Sequence, residues 1–141
     1  MARTRLGSRG SFSGQVIEKI TAAETITNGD SGKVFLLDSA SGAYSITMPT
    51  TLKAGVNYKF IVQEDTPAGA ITLAFGSAIV DGQVLAGDAS TAKCEGTDGT
   101  AISNAIIGIG AKQGAWLEFV CDGTSWYFSG GGFPDGWVTF S

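Results

Sequence analysis

The sequence predicts an all-β protein: a single-domain β-sandwich, or jelly-roll-like barrel, with an extended N-terminal arm and a C-terminal tail. Twenty-one glycines against three prolines among 141 residues indicate many tight turns. Aromatic and β-branched residues are frequent, and they pack well on a pleated sheet. No segment long enough for a helix repeats its apolar positions with a helical period. The length suits one domain with a full-sized core, and no internal repeat or second domain is evident.

A hairpin predicted over residues 113–129 organises the fold. Its strands meet at Asp122-Gly123, a pair that suits a tight turn because both residues tolerate positive φ. A two-residue loop pairs Cys121 with Thr124, whereas a four-residue loop pairs Cys121 with Trp126. In either register one face carries Leu117, Phe119, Cys121, Trp126 and Phe128, and the other carries Trp116, Glu118, Tyr127 and Ser129. The apolar face needs a second sheet to cover it, so we expect the hairpin to form core rather than a ligand platform.

Other strands are predicted from short apolar or alternating runs. In chain order these strands cover residues 15–20, 25–27, 33–38, 43–48, 56–64, 70–75, 77–80, 83–85 and 105–111. Strand 56–64 is the best central strand of the first half: Tyr58, Phe60 and Val62 lie on one face, and Asn57, Lys59 and Ile61 lie on the other. A second Asp-Gly pair, Asp81-Gly82, is predicted to be a turn. Residues 87–100 contain few large side chains and predict a surface loop or a short edge strand around 92–95.

The first fourteen residues form a predicted basic arm, followed by a body over residues 15–129. The chain has a net charge of −4, and three arginines without an acid give the first ten residues +3, so −4 less +3 leaves −7 for the rest. The arm is rich in Gly and Ser and alone in water should be disordered. It is either a loose terminus or a segment that orders against a partner. Its candidate contact residues are Arg3, Arg5, Leu6, Arg9 and Phe12.

Residues 130–141 form a predicted tail with three glycines as a hinge. The tail is unusually apolar for a chain end, and its large side chains are Phe133, Trp137, Val138 and Phe140. We expect these side chains to dock, either at an interface with a neighbouring subunit or on the chain's own body.

The residue types argue against catalysis. The chain contains no histidine, which removes the commonest general base and most transition-metal sites. No nucleophile elbow, phosphate-binding loop or dinucleotide fingerprint is present. Glu118 and Asp122 lie near each other along the hairpin, but an acid–base pair also needs a cleft. We therefore expect no enzyme activity, no metal and no cofactor.

Charge and cysteine content limit the partners. An acidic body argues against nucleic acid, because phosphate binding needs a basic face. No apolar run approaches the length of a membrane span, and the basic start is not followed by the apolar region of a signal peptide. Cys94 and Cys121 are expected to be free thiols, since two cysteines without a secretory signal rarely form a bridge.

A succession of motifs over about residues 43–129 resembles small β-rich virion proteins of tailed bacteriophages. In order these motifs are residues 43–49 (AYSITMP), 52–62 (LKAGVNYKFIV), 70–73 (AITL), 81–82 (DG) and 116–129 (WLEFVCDGTSWYFS). The most characteristic is the aromatic hairpin with its DGTSWY turn. The sequence is similar to capsid decoration, or cement, proteins and to β-modules of tail or head fibres.

The resemblance implies a structural protein without catalytic residues. A decoration protein would be assembled in the host cytoplasm and bind the outside of the virion's capsid as a homotrimer, where it clamps neighbouring major capsid protein subunits. The arm residues would then contact the capsid, and the tail residues would lie at the subunit interface. A fibre module would instead recognise glycans through exposed aromatic residues such as Trp116, Tyr127 or Trp137.

Overall fold

The computed structural model describes residues 3–5, 15–64, 67–88, 92–97 and 102–141. Within these ranges the chain forms strands and one short 3-10 helix, Asn28–Asp30. The strands are β1 (Arg3–Arg5), β2 (Ile17–Ile20), β3 (Glu24–Thr25), β4 (Val34–Leu37), β5 (Tyr44–Thr47), β6 (Asn57–Val62), β7 (Ile71–Ala74), β8 (Ile79–Gly87), β9 (Ala92–Gly96), β10 (Asn104–Ile107), β11 (Trp116–Cys121), β12 (Ser125–Gly132) and β13 (Val138–Phe140).

Two mixed sheets pack face to face and confirm the predicted all-β sandwich. The larger sheet has eight strands in the order β1-β2-β4-β6-β11-β12-β8-β9. The smaller sheet has five strands in the order β13-β10-β7-β5-β3. The N-terminal strand β1 and the C-terminal strand β13 are therefore edge strands of different sheets.

The first half of the chain winds between the sheets. Strands β2, β4 and β6 are parallel neighbours in the larger sheet, and β3, β5 and β7 are parallel neighbours in the smaller one. Parallel strands need a crossover connection, and here each crossover is itself a strand of the opposite sheet. Residues 17–74 thus make three turns, each of which adds one strand to each sheet.

The hairpin of β11 and β12 has the register of the four-residue loop. Cys121 pairs with Trp126 and Phe119 pairs with Phe128. One carboxylate oxygen of Asp122 accepts hydrogen bonds from the backbone N–H groups of Thr124 and Ser125, both at 2.7 Å. These bonds stabilise the four-residue turn.

The core lies between the sheets and confirms the alternation predicted for the central strands. The buried side chains of β6, β11 and β12 are Tyr58, Phe60, Val62, Leu117, Phe119, Cys121, Trp126 and Phe128. Phe75, which follows β7 in the smaller sheet, contacts both strands of the hairpin. Its ring centroid is 5.0 Å from that of Phe119 and 6.0 Å from that of Trp126. Aromatic packing across the sandwich therefore joins the two sheets at its centre.

The second Asp-Gly pair does not form the predicted turn. Asp81 and Gly82 lie inside the continuous strand β8, which runs parallel to β12 and pairs Gly82 with Phe128. A Cβ atom at position 82 would lie 2.1 Å from the Phe128 carbonyl oxygen. The glycine is therefore present because the two backbones approach closely, and not because the chain reverses direction.

Replacing Gly82 with alanine should destabilise the fold, because the new methyl group meets backbone that cannot rotate away. We expect a loss of at least about 2 kcal/mol of unfolding free energy in urea titration. Gly108→Ala is the matched control, since its Cβ would meet its nearest neighbouring atom at 3.7 Å, an ordinary contact distance. Equal stability of the two variants would contradict the close approach of β8 and β12.

Candidate functional site

Arg3 joins the two sheets at one edge of the sandwich. Its Nη1 atom lies 2.9 Å from Oδ1 of Asp30 and 3.4 Å from Oε2 of Glu18, a residue of β2. Its Nε atom lies 3.3 Å from Oε2 of Glu24, and Nη2 donates a hydrogen bond of 2.6 Å to the carbonyl oxygen of Thr25. Glu24 and Thr25 belong to β3 of the smaller sheet. One guanidinium therefore contacts both sheets.

We call these partners the arginine socket: Glu18, Glu24, the Thr25 carbonyl, Asp30 and the Phe35 ring. The guanidinium carbon of Arg3 lies 5.7 Å from the centre of the Phe35 ring, a cation–π distance. Beside the socket, Lys33 Nζ lies 2.8 Å from Glu18 Oε1 and 2.7 Å from Asp30 Oδ1. Three carboxylates thus face two cations.

Asp30 is the carboxylate at the centre of this cluster. Burial by itself would raise the pKa of Asp30. Hydrogen bonds from Lys33, from the Thr27 backbone N–H and from Arg3 outweigh burial and lower the pKa of Asp30 to about 2. Only 7% of Asp30 is exposed, so the charged form depends on these three donors.

The arm residues are therefore placed differently from the sequence-based expectation. The expected arm was disordered alone, but residues 3–5 form β1, antiparallel to β2. The guanidinium of Arg3 is bound to this chain's own carboxylates rather than free for a partner. Arg5 lies in β1 opposite Glu18. The other candidates, Leu6, Arg9 and Phe12, lie outside the described residues.

The tail docks on the chain's own body, the second of the two expected alternatives. Trp137 and Val138 are fully buried, and β13 pairs with β10. The Phe140 ring stacks on Phe128 with 4.7 Å between centroids. Phe133 is 44% exposed and is the one tail candidate with a large accessible surface. Trp137, Val138 and Phe140 therefore contribute to the core of a single chain.

One face of the eight-stranded sheet points away from the smaller sheet, and we call it the outer face. Most of the large apolar side chains exposed among the described residues lie on it: Ile17, Ile79, Leu85, Val120 and Tyr127. Their exposure follows from strand alternation, because each neighbours a residue that points into the core. Among the residues that the structure describes, none covers this apolar face.

Four side chains on the outer face form an apolar strip across the sheet. Register places Leu36 beside Ile61, Ile61 beside Trp116, Trp116 beside Gly131, and Gly131 beside Leu85. Trp116 Nε1 lies only 3.3 Å from where a Cβ of Gly131 would be, so the indole lies over the glycine. The strip crosses five strands, roughly 19 Å at about 4.8 Å per strand.

Polar residues border the apolar strip. Lys59 and Glu118 face each other in the next row of the sheet, and Lys59 Nζ lies 5.0 Å from the centre of the Trp116 ring. This cation–π contact helps to fix the position of the indole. An apolar centre with a charged rim is the usual composition of a protein–protein contact surface.

Tyr127 stands between two shallow grooves of the outer face. One groove is lined by Asn57, Glu118, Phe119, Val120, Tyr127, Phe128 and Ser129, and the other by Asp81, Gly82, Gln83, Thr97, Tyr127 and Phe128. The Tyr127 hydroxyl donates a hydrogen bond of 3.2 Å to Asp122. The negative charge of Asp122 raises the pKa of Tyr127. The aromatic ring is thus fixed, with hydrogen-bonding groups on both sides.

The two carboxylates of the hairpin are used differently. Asp122 is occupied by its turn, whose backbone N–H groups at Thr124 and Ser125 lower the pKa of Asp122 to about 2. Glu118 projects from the outer face and lines a groove beside Tyr127.

Within the described ranges, no group of three or more Cys, Asp or Glu side chains is arranged to hold a metal ion. Cys94 is exposed, Cys121 is buried, and both are free thiols as expected.

No family model matches the chain, and no curated protein matches it. A search of the described residues also finds no helix with the length and apolarity of a membrane span.

The sequence contained a signal for the socket that the sequence analysis missed. Thr27 and Asp30 have the spacing of a capping box, which turns a carboxylate back onto the start of a short helix. The pattern predicts a fixed Asp30 but does not reveal which cation reaches it. Arg3 is distant in sequence, and no local pattern connects the two residues.

Asp30→Asn should lower stability and flatten its dependence on pH. The pKa of Asp30 is lower in the folded protein than the usual 3.8, so its contribution is present above about pH 4 and disappears as the pH falls towards 2. That difference corresponds to roughly 2 kcal/mol. Urea titrations at pH 7, 5 and 3 measure both effects. Glu118→Gln, the same kind of change at an exposed position on the outer face, is the control and should leave the stability at pH 7 close to that of the wild type.

Proposed function

We propose that the chain is a structural virion protein of a tailed bacteriophage: a capsid decoration, or cement, protein that binds the outer surface of the shell as a homotrimer and stabilises it. The observation that carries this proposal is the apolar strip on the outer face. The resemblance of the motifs over residues 43–129 to phage virion proteins supports the same function. The partners are the major capsid protein and further copies of the chain.

The strip suits attachment to a broad protein surface. It lies on hydrogen-bonded strands rather than on a loop, so its side chains keep their relative positions and lose little conformational freedom on docking. Leu85 is 68% exposed and contributes the most accessible apolar side chain of the strip. Three copies of one modest contact, held together in a trimer, bind far more tightly than one copy.

The proposed contribution of the arm changes with the position of Arg3. Because the guanidinium of Arg3 is held in the arginine socket, the capsid contacts assigned to the arm rest on Arg5, Leu6, Arg9 and Phe12. Their assignment stays a prediction. We further propose that the protein has no catalytic activity, since Asp122 is committed to a turn and the chain has no histidine.

Leu85→Lys should abolish attachment to capsids without unfolding the protein, because it places a charge on the most exposed side chain of an apolar contact. We expect at least a tenfold loss of co-sedimentation with empty capsids and an unchanged melting temperature. Ile109→Lys is the matched control: Ile109 is 62% exposed but lies beyond β10, away from the strip. The mass of the purified chain should be that of a trimer.

The outcomes separate the roles of the strip. Undiminished loading of Leu85→Lys would reject the strip as the capsid-binding surface. A variant that binds no capsid because it has become monomeric would instead place the strip between subunits. A wild-type chain that neither trimerises nor loads onto capsids would reject the decoration function.

A second candidate function is glycan recognition by a fibre module, and the fixed ring of Tyr127 favours it. A saccharide stacks its apolar ring face on an aromatic side chain and bonds its hydroxyls to neighbouring carboxylate, amide and hydroxyl groups. The grooves beside Tyr127 supply such groups from Asn57, Glu118, Ser129 and Gln83. Tyr127 lies two rows of the sheet from the apolar strip, and Glu118 and Ser129 lie in the row between, so the two functions need separate tests.

A glycan array probed with the full chain tests this candidate. If the chain recognises saccharides, binding should be saturable for one sugar class, lost in Tyr127→Ala and largely kept in Tyr127→Phe, which retains the ring. Phe133→Ala removes an exposed aromatic residue elsewhere and should have no effect. The absence of saturable binding by the wild-type chain would reject the candidate.

A further inference from the structure

We propose that β1 is exchanged between copies of this chain, so that the arginine socket of one subunit holds Arg3 of its neighbour. The inference rests on the homotrimer of the proposed function. It assigns a subunit contact to residues that the structure shows paired within one chain, and it makes the partner's Arg3 part of the site.

The socket requires a guanidinium, whichever chain supplies it. Without Arg3, Glu18, Glu24 and Asp30 would face Lys33 alone. Glu18 is 9% exposed and Asp30 is 7% exposed, so water cannot solvate the uncompensated charge well. A lysine could neutralise one carboxylate. Only the planar guanidinium can contact Asp30, Glu18 and the Thr25 carbonyl at the same time.

In the described part of the chain, β1 is tied to the body by this contact and by its pairing with β2. It has three residues and pairs with β2 as the edge strand of its sheet. The register is antiparallel, with Thr4 opposite Lys19 and Arg3 opposite Ile20. Strand β1 of a neighbouring subunit would make the same contacts with β2, because these contacts do not depend on which chain β1 is covalently joined to.

The connection to β2 is long enough for either arrangement. Residues 6–16 lie between β1 and β2, and eleven residues reach at most about 36–40 Å when extended. Six of the nine residues 6–14 are Gly or Ser, the composition of interdomain linkers. A distance of this order is comparable with the width of a small domain, so β1 can reach the β2 edge of an adjacent subunit.

Exchange therefore costs little free energy inside a trimer. Internal docking has the advantage of an effective concentration in the millimolar range, set by the length of the connection. The socket of a neighbouring subunit in the same trimer is at a comparable local concentration. The contacts are identical in both arrangements, so the geometry of the trimer decides between them, and an exchanged strand links the subunits.

A pair of cysteines at facing positions distinguishes the two arrangements. Thr4 and Lys19 lie directly opposite each other, where Cα atoms of antiparallel strands are about 4.5–5.5 Å apart, within the range of a disulfide. The full-length chain carrying Thr4→Cys and Lys19→Cys, with Cys94→Ser to remove the exposed thiol, is oxidised and run on a denaturing gel without reductant. Exchange gives covalent dimers and trimers, whereas pairing within each chain gives a cross-linked monomer.

Mixing of single-cysteine chains supplies the control. Thr4→Cys and Lys19→Cys chains, each with Cys94→Ser, are refolded together and should give a disulfide-linked heterodimer. Adding Arg3→Ala to the Thr4→Cys chain should reduce its yield at least tenfold, and Arg3→Lys should give an intermediate yield. Thr4→Cys mixed with Thr139→Cys, on the edge strand β13 of the other sheet, should give none.

Two results would overturn the inference. In the first, the double-cysteine chain forms only disulfides within a single chain. In the second, no disulfide forms between positions 4 and 19. Trimers with internal disulfides that still co-sediment with capsids would reject strand exchange and leave the decoration function intact. Disulfides between subunits in a trimer that does not bind capsids would support strand exchange and reject the decoration function.

Discussion

The fold depends on burying the apolar face of the hairpin formed by β11 and β12. Phe119 and Trp126 lie on that face, and Phe75 of the opposite sheet contacts both rings. Burying aromatic side chains of this size is the main source of favourable free energy in a protein with few charges. The register of the hairpin matters because a shift of one residue would turn these rings to solvent. The Asp122 turn fixes that register, so a short exposed loop positions the centre of the core.

The same alternation that fills the core creates the outer face. Each buried residue of β11 and β12 has neighbours that point outwards, and among them are Trp116, Val120 and Tyr127. The smaller sheet covers one side of the larger sheet only. The arginine socket closes the edge between the sheets with charge instead of apolar contact. The core and one edge of the sandwich are therefore closed by the chain's own side chains, and the proposed function uses the outer face.

Sequence patterns predicted the strands and their faces well, because alternation is local. The burial of Phe119 and Trp126 on one face followed from the spacing of residues within the hairpin. The prediction of a turn at Asp81-Gly82 was wrong because a glycine can serve either a turn or a close approach of two backbones. The close approach of Gly82 to Phe128 is between residues far apart in sequence, so local sequence could not reveal it. The parallel winding and the contact between Arg3 and Asp30 join residues far apart in sequence, and no local period encodes such pairs. Alternation predicted which hairpin residues point outwards at the candidate site. It did not predict the order of the strands, and so it did not predict which outward-facing residues are neighbours across the sheet.

The winding of the first half makes the sandwich modular. Each turn adds one strand to each sheet. A complete turn could therefore be added or omitted without changing the distance between the sheets or the inward orientation of the remaining core side chains. The aromatic hairpin would still find a strand equivalent to β6 beside it. Proteins built on this plan can therefore vary in breadth by whole turns. Because Leu36 and Ile61 belong to the winding, the number of turns also sets how far the apolar strip extends across the sheet.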